Sequence, residues 1–252
     1  MILSLLSQSK KSIGIYMANG TLTSSGNISV NNKSVGLDAT TSDVTISGGT
    51  HTIGKESVGF KLTGSHSGTV SKNFFGNSGN ISIKDKGSVA YLIKSSVLTS
   101  GTNFKDNLAL TSTSAYTYMS LINHSMLDYM NTKTIANDDS IFVNTKDSTV
   151  SLLSGTSVTS TNKKVTGVYS ENSAVSNGGI LALTGDESSA LYGKAGSFLI
   201  NSGKITIGKS GSGIYSIDST GKNNGEITIG QGSVGMRAED AIIENGVAGK
   251  IL

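Results

Sequence analysis

Three pairs of adjacent acidic residues have the clearest potential for chemistry in this sequence. They are Asp138-Asp139, Asp186-Glu187 and Glu239-Asp240. Two carboxyl groups placed across a sugar can act as acid and base in glycoside hydrolysis, and an Asp-rich calcium site beside a basic residue can support polysaccharide lyase chemistry. Adjacent residues of a strand point to opposite faces, however, so a doublet is not a catalytic pair by itself. We predict that the doublets are solvated corner residues, although the third has an arginine, Arg237, close by.

The other groups that commonly carry catalysis are isolated or missing. The three histidines, His51, His66 and His124, lie far apart and none forms the His-x-x-x-His spacing of a zinc site. The chain has no cysteine, which excludes a disulfide scaffold and a thiolate metal site. No segment matches the Gly-x-Ser-x-Gly motif of a nucleophilic serine. We therefore predict no catalytic residue, no metal and no cofactor, and we interpret the chain as a non-enzyme.

The composition limits the elements that could position such groups. The 252 residues include 32 glycines, no proline and only 15% charged side chains. Gly/Ser-rich chains are often disordered, but the apolar residues here are spread evenly and alternate with polar ones, which is typical of strands. The net charge is +3 and the lysines are scattered. The basic stripe with interleaved aromatic residues expected of a nucleic-acid binder is missing, and no apolar run approaches the length of a membrane span.

A small residue followed by a large apolar one recurs along the chain. The intervals are 22 and 23 residues from Gly14 through Gly36 to Gly59. The clearest copies are Gly14-Ile15, Gly36-Leu37, Gly59-Phe60, Ala90-Tyr91, Gly213-Ile214 and Gly235-Met236. Looser copies are Gly167-Val168 and Ala190-Leu191, and the weakest matches are Ala115-Tyr116 and Ile141-Phe142. Such a fixed period indicates a repeat architecture.

Each repeat also holds a Gly-x-Ile-x-Ile segment, as in 203–207 and 225–229, preceded by a third apolar pair. Three short alternating segments per repeat predict three β-strands. Strands with one apolar face must bury it, and a solenoid does so by stacking Ile on Ile while the backbone pairs with the turns above and below. The sequence therefore predicts an all-β, right-handed parallel β-helix of about 22–23 residues per turn, with three strands per turn and glycine at the positive-φ corners.

The repeat is disturbed in two places, where we predict inserts near residues 64–79 and 111–139. Met119, Ile122, Met126 and Met130 are three or four residues apart, which favours a short helix in the second insert. Loops on a solenoid often carry function, and aromatic or histidine side chains suit glycan or protein contact. The candidate ligand-binding residues are Phe74, Phe75, Tyr116, Tyr118, His124 and Tyr129. The alternative is that these aromatic residues only pack the inserts onto the rod. His51, which occupies the repeat position of Ile28, is predicted to face the core.

Two segments carry a family resemblance, 201–215 (NSGKITIGKSGSGIY) and 224–236 (NGEITIGQGSVGM). The sequence pattern that they share recurs in weaker form along most of the chain. It resembles the repeats of the passenger domains of type Va autotransporters, specifically the fusobacterial adhesins. The resemblance implies a long rod on the bacterial cell surface, secreted across an oxidising periplasm where the lack of cysteine is an advantage. It also implies anchoring by a C-terminal outer-membrane barrel that is absent from this chain. Residues 1–252 are accordingly interpreted as a single β-helix segment of a longer passenger.

The same resemblance implies attachment to host cell-surface glycans or receptors, or to partner bacteria, and brings no catalytic residues. We therefore predict a non-catalytic segment of a bacterial cell-surface adhesin, acting as a rigid rod that either spaces a binding tip from the membrane or binds through loops that protrude from it. A pure spacer without a ligand is a further alternative. The alternative is a β-helical carbohydrate-active enzyme, a polysaccharide lyase or a tailspike-like glycosidase, because parallel β-helices also carry those activities. No nucleic-acid partner is expected.

Overall fold

The computed structural model describes residues 5–7, 12–64 and 73–252, and the regular elements in these ranges are all β-strands. Strands of successive coils pair in parallel, and the chain is a right-handed parallel β-helix, which confirms the predicted fold class. It divides into two compact units, Met1–Met126 (unit 1) and Leu127–Leu252 (unit 2). Nothing among the described residues forms a helix long and apolar enough to cross a membrane.

The strands of unit 1 range from three to eleven residues in length. They are β1 Leu5–Ser7, β2 Ile13–Ala18, β3 Thr21–Ser24, β4 Ile28–Val30, β5 Val35–Thr40, β6 Asp43–Ile53, β7 Val58–Thr63, β8 Phe74–Ile83, β9 Ser88–Lys94, β10 Val97–Thr99, β11 Phe104–Asp106, β12 Ala109–Ser112 and β13 Tyr116–Ile122.

One sheet of unit 1 receives one strand from each coil, in the order β2, β5, β7, β9 and β13. Its register places Ile15, Leu37, Phe60, Tyr91 and Met119 above one another. The last four of these side chains are fully buried. Each such side chain stabilises the fold by about 1.5–3 kcal/mol through the hydrophobic effect, so the recurring large residue of the sequence motif forms a column of the core.

The second sheet of unit 1 does not follow the predicted three strands per turn. β6 and β8 run for 11 and 10 residues, and each replaces two short strands of a neighbouring coil: β3 and β4 both pair with β6, and β11 and β12 both pair with β8. Between Ile46 and Thr50 the register of β6 against β8 shifts. The corner between two strands is thus reduced to an irregularity within one long strand.

Unit 2 shows the predicted three strands per coil. Its strands are β14 Met126–Tyr129, which begins on the last residue of unit 1, β15 Thr132–Thr134, β16 Ile141–Lys146, β17 Thr149–Leu152, β18 Ser157–Ser160, β19 Thr166–Glu171, β20 Ala174–Asn177, β21 Ile180–Leu183, β22 Ser189–Lys194, β23 Phe198–Asn201, β24 Lys204–Ile207, β25 Ser212–Ile217, β26 Thr220–Asn223, β27 Glu226–Ile229, β28 Val234–Glu239, β29 Ile242–Asn245 and β30 Lys250–Ile251.

Three parallel sheets enclose the core of unit 2. The Gly-x-Ile-x-Ile segments form the sheet β15, β18, β21, β24, β27 and β30, where Val158, Leu181, Ile205 and Ile227 lie in register. All four side chains are buried. Another sheet consists of β16, β19, β22, β25 and β28, and its strands carry the large residue of the repeat motif.

The small residue of the sequence motif is explained by a close approach between coils. A Cβ atom placed on Gly36 would lie 2.7 Å from the carbonyl oxygen of Gly59, and one on Gly213 would lie 2.5 Å from that of Gly235. These glycines lie within strands, so the prediction that glycine mainly supplies the corners is wrong. Among the described residues, sixteen with positive φ are not glycine, against six that are.

The left-handed corners instead repeat from coil to coil. In unit 2, Asp139, Lys164, Glu187 and Ser210 have φ between 54 and 58°. Each donates its backbone N–H to a carbonyl of the following coil, as Lys164 does to Asp186 at 2.8 Å. A left-handed non-glycine residue costs about 1–3 kcal/mol, and these stacked hydrogen bonds hold it in place.

A buried asparagine ladder closes another corner of unit 2. The side-chain amide of Asn177 donates to Oδ1 of Asn201, Asn201 to Asn223, and Asn223 to Asn245, each at 2.8 Å. The first three side chains are at most 1% exposed. Because every buried amide meets its counterpart in the next coil, the ladder satisfies polar groups that would otherwise destabilise the fold.

The predicted insert at 111–139 is not an insert. Its residues fall in β12 to β15 and in the turns between them, and the predicted helix is wrong, because Tyr116–Ile122 is a strand of the main sheet. Tyr91 pairs with Met119 and Val143 with Val168, so the true repeats are Tyr118-Met119 and Phe142-Val143. The extra residues of that coil lie instead around the turn at 100–103. For the predicted insert at 64–79, residues 65–72, including His66, lie outside the described residues.

Candidate functional site

Four of the six predicted ligand-binding residues lie in the core. Phe74, Tyr116, Tyr118 and Tyr129 are at most 3% exposed. In unit 1, Phe74 packs edge-on against Tyr91, and Tyr91 edge-on against Tyr118, at ring distances of 5.4 and 5.5 Å. Their side chains offer nothing to a ligand outside the coil, so their position supports the packing alternative.

The buried carboxylate of Asp106 binds the hydroxyls of two tyrosines in this cluster. Asp106, 3% exposed, accepts hydrogen bonds from the hydroxyls of Tyr91 at 3.0 Å and Tyr118 at 2.6 Å. A buried carboxylate is stabilised by such donors. The group is therefore a core polar cluster of unit 1 and opens on no surface.

The remaining two predicted residues are accessible but separate. Phe75 alternates with the buried Phe74 and is partly exposed, and His124 lies exposed at a corner with φ of 58°. They stay candidates for ligand contact without forming a common site in this structure.

His51 faces the core, as predicted. It lies in register between Ile28 and Ile81, is 1% exposed, and meets the Phe60 ring at 5.2 Å. Neither ring nitrogen has a hydrogen-bond partner of normal geometry. Burial lowers the pKa of His51 below its ordinary value of 6.5, although the backbone of Gly48 acts in the opposite direction.

The acidic doublets do not combine into a catalytic pair. In unit 2 the corner that carries Asp138-Asp139 and, two coils on, Asp186-Glu187 carries Lys163-Lys164 in the coil between them. Asp138 accepts from the backbone N–H of Lys163 at 2.8 Å, and Lys163 and Lys164 lie 3.8 Å from Asp186 and Glu187. Alternating charges therefore neutralise this corner, in line with the prediction of solvated corner residues. No group of three or more metal-ligating side chains occurs among the described residues.

A row of tyrosines lies on the outer face of the main sheet of unit 2. Register places Tyr169, Tyr192 and Tyr215 one above another, followed by Arg237. The rings of Tyr169 and Tyr192 are stacked 5.0 Å apart with planes 7° from parallel, whereas Tyr192 and Tyr215 are 5.0 Å apart at 80°. All three tyrosines are partly exposed. We call these three residues the tyrosine row.

Ion pairs flank one side of the tyrosine row. Glu171 lies 2.6 Å from Lys146 and 3.2 Å from Lys194, and Glu239 accepts from the Tyr215 hydroxyl and from Arg237, each at 2.6 Å. The hydrogen bonds from Lys146 and Lys194 lower the pKa of Glu171, and the bond from Tyr215 lowers that of Glu239. Three cations thus face two carboxylates, and this side of the row carries one excess positive charge.

Hydroxyl groups flank the other side and border a pocket of about 250 Å³, which we call the serine pocket. It is lined by Glu187, Ser189, Ser210, Ser212, Tyr215 and Arg237. The hydroxyls of Ser189 and Ser212 share a hydrogen bond of 2.8 Å. The pocket therefore combines hydroxyls, one carboxylate, one guanidinium and the side of an aromatic ring.

Nothing matches the chain in comparisons with protein-family models, curated proteins and solved structures. The resemblance to autotransporter adhesins accordingly stays a prediction.

Sequence reasoning missed the tyrosine row, although its signal was present. The three tyrosines recur at steps of 23 residues, each directly after the buried large residue of the repeat. Because neighbours in a strand point to opposite faces, this position must face outward. In unit 1 the equivalent positions hold Tyr16, Asp38, Lys61 and Leu92, so the aromatic row is a property of unit 2.

Proposed function

We propose that this chain is a non-catalytic segment of a bacterial cell-surface adhesin, in which the β-helix is a rigid support and the tyrosine row contacts glycans of host cells or of partner bacteria. The observation that carries the proposal is the row itself. Three partly exposed aromatic side chains lie on one face of a parallel sheet, with serine hydroxyls on one side and ion pairs on the other. The contact surface is thus a sheet face, not the protruding loops expected from the sequence.

The chemistry of this face suits carbohydrate. Tyrosine offers an apolar ring together with a hydrogen-bonding hydroxyl, which matches a sugar that has apolar C–H faces and polar edges. The carboxylates of Glu171 and Glu239 can accept sugar hydroxyls, and Lys194 and Arg237 can donate to sugar oxygens. A nucleic acid would require a basic stripe, whereas the ion pairs of this face leave a single excess positive charge.

The non-catalytic part of the proposal is supported by the pairing of the carboxylates. Polysaccharide cleavage by two carboxyl groups requires one acid and one base or nucleophile facing the same bond. In unit 2 the doublets are separated by a lysine doublet on the same corner, and Glu171 and Glu239 are each held by a cation. Among the residues that the structure describes, no arrangement of carboxyl groups favours the enzymatic alternative.

Binding to an immobilised glycan panel, and to host and bacterial cells, tests the proposal. The wild-type chain is expected to bind, and the double variant Tyr169→Ala/Tyr192→Ala to lose most of the binding while keeping the circular dichroism spectrum of a β-helix. Tyr16→Ala is a matched control, because it removes an exposed tyrosine at the equivalent position of unit 1, outside the row. Equal binding by all three proteins contradicts the proposal. So does turnover of a polysaccharide that disappears in Asp138→Asn/Asp139→Asn.

A further inference from the structure

We infer that the serine pocket is the anchoring subsite of this surface and holds one uncharged hexopyranose ring against Tyr215. This inference rests on the proposed function and names the sugar class and the position that the tyrosine row alone leaves open.

The Tyr215 ring is oriented differently from the other two rings of the tyrosine row. Tyr192 lies flat on Tyr169 but at 80° to Tyr215. The plane of the Tyr215 ring is therefore nearly perpendicular to the two stacked rings. The guanidinium of Arg237 lies over the Tyr215 ring, 4.7 Å from its centre. Tyr215 is also the tyrosine of the row that lines the serine pocket, so it is the ring placed to contact the C–H face of a sugar held there.

The size of the pocket is the second step. At about 250 Å³ it is smaller than the roughly 300–1,000 Å³ of sites that hold drug-sized ligands. It therefore suits a single ring and not a peptide segment or a lipid chain. Further sugars of a longer glycan would leave the pocket along the coil axis, over Tyr192 and Tyr169.

The polar lining is the third step and selects an uncharged sugar. Ser189, Ser210 and Ser212 present hydroxyls that can both donate and accept. The two charged groups are already matched, Arg237 by Glu239 at 2.6 Å and Glu187 by Lys164 at 3.8 Å. A carboxylated sugar would approach Glu187 without finding an unmatched cation, so a neutral ring with several hydroxyls fits best.

Titration calorimetry of the whole chain with the methyl glycosides of galactose, glucose and mannose, and with methyl glucuronide, tests the inference. At least one neutral glycoside is expected to bind, and more tightly than the glucuronide. Tyr215→Ala should weaken it by about tenfold, while Tyr215→Phe, which keeps the ring, should stay within about threefold. Tyr16→Ala, which removes an exposed tyrosine of unit 1 outside the row and the pocket, should leave the affinity for the monosaccharide unchanged, whereas Tyr169→Ala should weaken the binding of an oligosaccharide.

The outcomes separate the two proposals. If cells or glycans bind but no methyl glycoside does, or if Tyr215→Ala and Tyr16→Ala weaken the monosaccharide equally, the serine pocket is not the anchor and the proposed function stands. A glucuronide that binds more tightly than every neutral glycoside overturns the sugar class. If neither glycans nor cells bind, the proposed function fails and this inference fails with it.

Discussion

Replacing His51 with isoleucine should stabilise unit 1 and remove part of its sensitivity to acid. The imidazole lies between Ile28 and Ile81 in register, 1% exposed, with both nitrogens lacking a hydrogen-bond partner of normal geometry. Isoleucine would continue the column that its two neighbours already form. The change therefore removes buried polar atoms while keeping a side chain of comparable size.

The size of the effect follows from two contributions. A buried polar group without a partner costs about 1–3 kcal/mol, so the free energy of unfolding at pH 7.5 should rise by about that amount. Burial also lowers the pKa of His51 in the folded state below 6.5, so the unfolded chain takes up the proton first as the pH falls. Stability linked to His51 is complete above pH 6.5 and is lost below it by up to about 1.4 kcal/mol per pH unit, until the folded pKa is reached.

Urea unfolding followed by circular dichroism at pH 7.5 and pH 5.0 measures both contributions. Across this range the wild type should lose up to about 2 kcal/mol more than His51→Ile. His124→Asn is the matched control, because it removes an exposed histidine at a left-handed corner that asparagine tolerates. If His51→Ile and the wild type show the same loss of stability between the two pH values, the reasoning about the buried imidazole is refuted.

Three further substitutions test contacts between successive coils of unit 2. Asn201→Ala interrupts the asparagine ladder on both sides and should lower the free energy of unfolding by about 2–4 kcal/mol, measured by urea titration; a change below about 0.5 kcal/mol contradicts the role of the ladder. Gly203→Ala places a Cβ 2.1 Å from a backbone oxygen and should destabilise by about 1–3 kcal/mol or more, whereas Gly48→Ala, whose nearest contact is 3.4 Å, should change the melting temperature little. Glu171→Gln removes a carboxylate whose pKa is lowered by Lys146 and Lys194, so its stabilisation, present above the ordinary pKa, should vanish as the pH falls through the lowered one. The melting temperature of Glu171→Gln should accordingly fall less than that of the wild type between pH 7 and pH 3. An equal fall counts against the ion pairs of Glu171 with the two lysines.

The fold could be predicted because the physics that specifies it acts locally and repeats. A strand buries every second side chain, so the repeating Ile, Leu and Val positions determined the fold class. The inward position of His51 followed from its alignment with Ile28, and the register confirms it.

The errors have one physical origin in the middle of the chain. Tyr118 and Phe142 occupy the position that glycine or alanine fills elsewhere in the repeat, and both are fully buried. With the small residue gone, the repeat could be aligned out of register. Met119, Ile122, Met126 and Met130 then imitated a helix face, although Met126 and Met130 are exposed. Whether an aromatic ring fills a widened core or lines a surface depends on coil-to-coil packing, which the spacing of one sequence does not encode.

The candidate surface was hidden for a different reason. An outward residue of a strand contributes little to the repeat pattern by which the core is recognised. The serine pocket also joins residues of successive coils, such as Glu187 and Ser210, that are neighbours only once the register is known.

The tyrosine row adds one ring for each coil of 23 residues, from Tyr169 through Tyr192 to Tyr215. Because each coil contacts only its neighbours, gain or loss of a whole coil leaves every remaining contact intact. Duplication of a single coil within the gene would lengthen the aromatic face by one step without requiring a new fold. The number of coils would then set the avidity for a long glycan, because each added ring contacts a ligand that is already bound.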